Sequence, residues 1–215
     1  MRLRKVKGAE AFIEAHSDKV ICGGEQQKGK WQTLFAKKQP LFIEVGMGKG
    51  QFVIGMAKMH PEYNFIGIEK FDSVMVRALE KVLEEEPLPN LMLLKMDAES
   101  LTETFAENEV DGIYLNFSDP WPKPRHAKRR LTHANFLSQY ENIMVPDGHV
   151  CFKTDNRLLF EYSLTSLSAY EMQLHDVALD LHAREELEWN VQTEYEQKFS
   201  SLGQVIYRVD ATFKK

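Results

Sequence analysis

From residue 41 onward the chain alternates two kinds of segment. Five short apolar runs, LFIEV (41–45), YNFIGIE (63–69), LMLLKM (91–96), VDGIYLNF (110–117) and HVCFKT (149–154), are spaced along it. Helical patterns lie between or after them: DSVMVRALEKVLEEE puts Met75, Leu79, Val82 and Leu83 on one face, and similar patterns occupy residues 132–143 and 156–168. Strands that are apolar throughout are buried on both faces, and joining them by helices predicts a parallel α/β sheet, open and doubly wound in the Rossmann-like manner. The end of the chain differs. EMQLHDVALDL and QVIYRVDATF read as strands separated by the polar stretch 183–203 with no clear helix, which predicts an antiparallel pair closing one edge. Residues 1–40 read as a basic N-terminal extension, a helix followed by the irregular CGGEQQKGKW, and residues 41–215 as the main domain.

In such a sheet the ligand sits at the carboxyl ends of the strands, and the loop after the first strand comes nearest to it. Here that loop is EVGMGKGQF, with Gly46, Gly48 and Gly50 at alternate positions. A phosphate-binding loop of the G-x-x-x-x-G-K-[ST] type is excluded, because residue 43 is Ile and residue 50 is Gly. The dinucleotide pattern G-x-G-x-x-G matches Gly46 and Gly48 but meets Gln51 where its third glycine belongs. S-adenosylmethionine accounts for more of the residues. It carries an ammonium and a sulfonium and no phosphate, so carboxylates near the loop favour it. Glu44 stands inside the first apolar run, where an unpaired charge is costly. Glu69 ends the second run at the place for a ribose-binding acid, a feature shared with NAD enzymes. Asp97 follows the third and reads either as an adenine contact or as a helix N-cap.

The net charge of −5 conceals an uneven distribution. Residues 1–40 hold nine Lys/Arg against four Asp/Glu, and residues 119–130 hold five against one, so the rest is strongly acidic. Two basic segments on an acidic body fit guidance of a polyanion as well as two solvated faces. The basic start leads into no apolar leader, and no stretch approaches a membrane span, so a cytoplasmic protein with no membrane partner is expected. Cys22 and Cys151 read as packing residues, and the seven histidines lack ligand spacing, so no metal is expected. A monomer and a homodimer are equally compatible with the sequence.

YLNFSDPWPKPRHAKRRLT carries the most specific pattern. Asp119 ends the fourth run, Pro120, Pro122 and Pro124 stiffen the segment after it, and Lys123, Arg125, His126, Lys128, Arg129 and Arg130 make that segment cationic. An acid and an aromatic, Trp121, beside a basic run suit a base held out from a polyanion, although Trp121 equally suits a core position. Asp155 follows the fifth run and reads either as part of the same edge or as a cap, in competition with Asn156.

Through EVGMGKGQF, GIE, DPWPKPRHAKRRL, FKTDN and TEYEQKF the sequence resembles the bacterial tRNA (guanine-N7-)-methyltransferases, which use S-adenosylmethionine to methylate a guanosine in the tRNA variable loop. The resemblance implies a methyltransferase sheet and tRNA as partner. It implies that Glu44, Gly46, Gly48, Glu69, Asp97 and Asp119 serve the cofactor, with Asp119 also at the catalytic centre. Lys123, Asp155, Thr193, Glu194, Tyr195 and Glu196 would meet the substrate, and Arg125, His126, Lys128, Arg129 and Arg130 the RNA. Pro124 and His149 depart from the family pattern, where a basic residue and a glycine are frequent. An NAD-dependent oxidoreductase would use Gly46, Gly48 and Glu69 but not the acid inside the strand. A non-catalytic RNA-binding module would use the basic runs but not the acids.

Overall fold

β-Branched and large apolar residues dominate each predicted run, and all five become strands. The computed structural model describes residues 6–214, so the charges of Arg2, Arg4 and Lys5 in the basic start lie outside the described residues. The chain forms α1 (Ala9–Glu14), β1 (Val20–Cys22), β2 (Leu41–Val45), α2 (Gln51–Met59), β3 (Asn64–Glu69), α3 (Asp72–Glu84) and β4 (Leu91–Lys95). It continues with α4 (Leu101–Thr104), β5 (Val110–Asn116), α5 (Ala134–Ile143), β6 (Met144–Thr154), α6 (Arg157–Ala169), β7 (Gln173–Ala178), α7 (Glu194–Ser201) and β8 (Tyr207–Thr212).

The strands form one sheet in the order β1-β4-β3-β2-β5-β6-β8-β7. Neighbours from β1 to β6 run parallel, whereas β8 is antiparallel to both β6 and β7. The chain winds outward from β2 through β3 to β4, then returns to β5 on the other side of β2. At such a reversal sheets of this kind bind their ligands, here beyond the carboxyl ends of β2 and β5. One apolar layer packs α1, α2 and α3 on one face of the sheet. A second, with Phe136, Tyr140, Phe152 and Phe160, packs α5 and α6 on the other. Glu44 and Phe42 alternate with the core residues Leu41, Ile43 and Val45, so the acid projects toward the α2 face.

Three features depart from the sequence reading. α7 forms within the polar stretch 183–203, N-capped by Thr193, whose Oγ1 accepts from the Glu196 amide at 2.9 Å. Leu83 faces solvent although it shares the helical stripe with the buried Met75 and Leu79; it lies in the last turn of α3, which ends at its neighbour Glu84. Cys22 is exposed at the sheet's edge and does not pack.

The region before β2 takes part in both the sheet and the core. Val20–Cys22 pairs in parallel with Leu93–Lys95 and extends the sheet by one strand. Trp31 is fully buried, stacks on Phe105 with ring centroids 5.2 Å apart, and donates from Nε1 to the Thr104 carbonyl at 3.0 Å. Trp31→Ala therefore removes a large core side chain and orphans that carbonyl. We expect a loss of about 3–5 kcal/mol of unfolding free energy, measured by urea denaturation; a loss under about 1 kcal/mol would show that residues 9–40 are dispensable to the core.

Candidate active site

The glycine loop is built against the end of β3. The amides of Gly46 and Met47 both donate to the Ile68 carbonyl at 2.9 Å, and Gly46, Gly48 and Gly50 all have left-handed φ angles. A Cβ on Gly48 would meet nothing within 4 Å, so the loop's outer side is open. Beneath it, Gly67 lies opposite Glu44 in the register, and a Cβ there would stand 2.3 Å from the Met47 sulfur. The missing side chain lets Met47 tuck under the loop.

Parallel pairing arranges the acids along one edge in the spatial order Asp97, Glu69, Glu44, Asp119, Asp155, each at or just beyond the end of its strand. Glu44 is buried. Its Oε1 accepts from Asn116 Nδ2 at 2.9 Å across the β2–β5 reversal, and its Oε2 is sealed from solvent without a hydrogen bond. Burial pushes its carboxyl up to about 8, opposed by the Asn116 hydrogen bond and then by the Lys153 ammonium. Glu69 is buried too, its Oε1 held by the amides of Lys70 and Phe71 at 2.9 and 3.0 Å, and burial raises its carboxyl above the ordinary value. Asp97 is exposed and fulfils its capping role: Oδ1 accepts from the Glu99 amide at 3.1 Å, while Oδ2 lies 3.4 Å from the Lys70 ammonium. Asn156 takes the cap of α6, accepting from the Leu159 amide at 2.9 Å, and so leaves Asp155 out of the helix. Asp155's carboxyl is raised by burial.

Asp119 is exposed in a loop bracketed by two non-glycine residues with left-handed backbone, Phe117 (φ 51) and Trp121 (φ 42). Such conformations cost about 1 kcal/mol or more each and persist only where neighbours enforce them. Arg130 is one enforcer, its guanidinium donating to the carbonyls of Pro120 at 3.2 Å and Trp121 at 3.0 Å and lying 4.1 Å from the Tyr162 ring centre. Arg129 lies over Trp121, 4.8 Å from its ring centre, and His126 meets the same ring edge-on. Trp121 is accordingly half-buried under cationic side chains, neither a core anchor nor a bare platform. Lys123, Arg125 and Lys128 are exposed.

The Thr193–Glu196 run reaches the same edge at the start of α7. Thr193 caps the helix, Glu194 pairs with Lys81 of α3, and the exposed Tyr195 stacks on Phe117 at 6.4 Å between ring centres. Glu196 is fully buried, with Lys153 Nζ 2.6 Å from Oε2 and both Asn190 and His182 on Oε1. Burial holds the Lys153 ammonium below the ordinary lysine value, against the pull of Glu196. Lys153, Asn116 and Asn190 escaped the sequence reading. For Lys153 the signal was present: it stands in the apolar run HVCFKT, as Glu44 stands in LFIEV.

These residues fit S-adenosylmethionine. The unpartnered, buried Oε2 of Glu44 suits a cationic ligand, and the open side of Gly48 leaves backbone within reach of one.

Residues 38–209 match the model of a family described as "Putative methyltransferase". The chain is 54% identical to a tRNA (guanine-N(7)-)-methyltransferase of Exiguobacterium sp. over 100% of its own length and 99% of the relative's. It is 56% identical to one of Lysinibacillus sphaericus, covering 99% and 98%. Among solved structures it is similar in fold to an antibiotic-related methyltransferase (TM-score 0.65, 18% identity, 91% and 98% of the two chains). It also resembles a mutant 16S rRNA (adenine(1408)-N(1))-methyltransferase from Catenulisporales acidiphilia, solved with its cosubstrate S-adenosylmethionine (TM-score 0.61, 18% identity, 89% and 92%).

The state of Glu44 predicts a pH dependence for the ligand-free protein. Its folded value of about 8 exceeds the ordinary 4.5, so between these limits the folded protein keeps a proton that the unfolded chain releases. The resulting stability is complete below about pH 4.5 and is lost as pH rises through about 8. Glu44→Gln has nothing to release. Relative to wild type it should gain stability progressively from pH 5 to 8.5, by a few kcal/mol at the upper end, in urea titrations across that range. Parallel pH profiles for the two proteins would mean that Glu44 is ionised in the fold.

Proposed function

Because the chain belongs to the tRNA (guanine-N7-)-methyltransferase family, transferring a methyl group from S-adenosylmethionine to N7 of a guanosine in tRNA, we propose that it acts in the tRNA variable loop and that the acidic strand edge divides the work. The observation that carries this reading is Asp119, exposed in a strained loop at the end of β5, on the same edge of the sheet as Glu44 and the glycine loop.

Bound S-adenosylmethionine supplies an electrophilic methyl group on a sulfonium. Guanine N7 bears a lone pair and no proton, so no residue need act as a base at that atom. The protein's task is to orient the purine in line and to offset the positive charge that grows on it. Asp119 is suited to accept from the N–H groups of the guanine, which fixes the identity of the base and stabilises the developing cation. Asp155, on the neighbouring strand, is the other candidate acceptor. Glu44 becomes a negative neighbour for the cofactor's ammonium by giving up its proton when that cation binds, Glu69 is placed for the ribose hydroxyls, and Asp97 stands beyond it for the adenine. Tyr195 and Glu194 at the head of α7, with Lys123, face the substrate side.

Among the basic residues the geometry favours a division. Arg125 and Lys128, both exposed, are free to meet phosphates, whereas Arg130 is committed to the loop that carries Asp119.

Asp119→Asn keeps the side chain's shape and removes its charge. Its turnover should fall by about 100-fold or more while affinity for S-adenosylhomocysteine, measured calorimetrically, changes little. Near-normal turnover would remove Asp119 from the chemistry. Labelled cofactor and bulk tRNA should yield 7-methylguanosine, and mapping of digested fragments should locate it in the variable loop; label in another loop would overturn that assignment.

Removing Arg125 and Lys128 should weaken tRNA binding and flatten the dependence of log K on log salt by about 0.7–0.9 for each side chain that no longer meets a phosphate. An unchanged slope would make these two side chains part of a solvated face.

A further inference from the structure

Residues 190–196 form a strap across the helix that follows the glycine loop. Val191 packs on Gly55 of α2 so closely that a Cβ there would stand 2.6 Å from Val191 Cγ1. Gln51, the first residue of α2, donates from Nε2 to the Gln192 carbonyl at 3.1 Å. At the strap's centre lies Lys153. An ammonium has three N–H donors, and this one spends all three on the strap: Asn190 Oδ1 and the Val191 carbonyl at 3.0 Å each, and Glu196 Oε2 at 2.6 Å. The side chain is almost wholly buried, with Nζ 5.1 Å from the ring centre of Phe52 on α2. The same residue's backbone carbonyl accepts from the amide of Phe117 at 2.9 Å, at the left-handed residue that opens the Asp119 loop.

We propose that Lys153 is a positioning residue that joins the two substrate-facing segments, holding the strap with Thr193–Glu196 in register with the Asp119 loop. The inference rests on the reading that this segment meets the tRNA through Glu194 and the exposed Tyr195, since Thr193 and Glu196 are buried. A buried ion pair merely serving stability is often replaceable by apolar residues of similar volume, whereas directed hydrogen bonds that tie two residues without regular structure, Asn190 and Val191, to the head of a helix are not. That difference makes the role testable.

In Lys153→Met/Glu196→Met both buried charges are removed together, so the fold should survive with a melting temperature near wild type. Its strap should nevertheless loosen. Hydrogen exchange in the tRNA-free protein should accelerate at least tenfold at the amides of Asn190, Glu196 and Gln197, all of which are hydrogen-bonded in the structure. The KM for tRNA should rise at least tenfold with a smaller change in kcat. A simple loss of folded protein would lower kcat and leave KM alone. Wild-type exchange and KM in this variant would reduce Lys153 to a stabilising residue.

Should the double variant fail to fold, Asn190→Ala removes one acceptor of the Lys153 ammonium and leaves the buried charges paired. Exchange at Glu196 and Gln197 and the KM for tRNA should then each rise at least threefold, and unchanged values would overturn the proposal. Tyr195→Ala separates the two ideas. If it leaves the KM for tRNA untouched, the substrate reading of the strap fails and the inference with it. If it raises the KM while the Lys153 and Asn190 variants do not, the inference alone fails.

Discussion

A carboxyl group buried at the reversal of the sheet governs how the rest of this molecule is arranged. Glu44 lies near the carboxyl end of β2, where the strand order reverses, and it accepts a hydrogen bond from Asn116 of the neighbouring β5. An ionised carboxylate in such a place needs more than one neutral amide, and burial accordingly raises its proton affinity. The Lys153 ammonium stands near and offsets part of that cost.

Around that group the positive and negative charges are layered. Lys153 faces both Glu44 and Glu196, while Glu194, two residues before Glu196, pairs with Lys81 on α3. Glu44 on β2 and the segment that leads into α7 are thus linked through Lys153. The Asp119 loop is held at its far end by Arg130, from within its own basic run, and at its near end by the Lys153 carbonyl, which accepts from the left-handed Phe117. A run that looks uniformly cationic in sequence therefore does two jobs: Arg125 and Lys128 project outward, and Arg130 turns in to fasten the loop.

The strand-to-helix alternation was legible from residue 41 onward because it rests on local periodicity. Leu41–Val45 forms a strand with the bounds of its apolar run, and the glycines that end the run adopt left-handed conformations. Glu44 stood out in the sequence because a charge within an apolar run has no cheap local explanation, and it is buried in the fold. Asp97 and Asn156 became caps for the same local reason that made those readings available beforehand: a short polar side chain bonds the amides just ahead of it.

What tertiary structure alone decided depends on partners far apart in the chain. Glu44 meets Asn116 across 72 positions, and Lys153 meets Glu196 across 43. Val20–Cys22 became the edge strand because β4 offered it a partner, and no pattern within three residues could specify that. The helix Glu194–Ser201 is similar. Its polar sequence reads as loop, and it is held in place by a buried Glu196 whose cation arrives from β6. Periodicity records which face of a segment is apolar. It carries no information about which distant charge will neutralise a buried one, and in this protein that pairing builds the site.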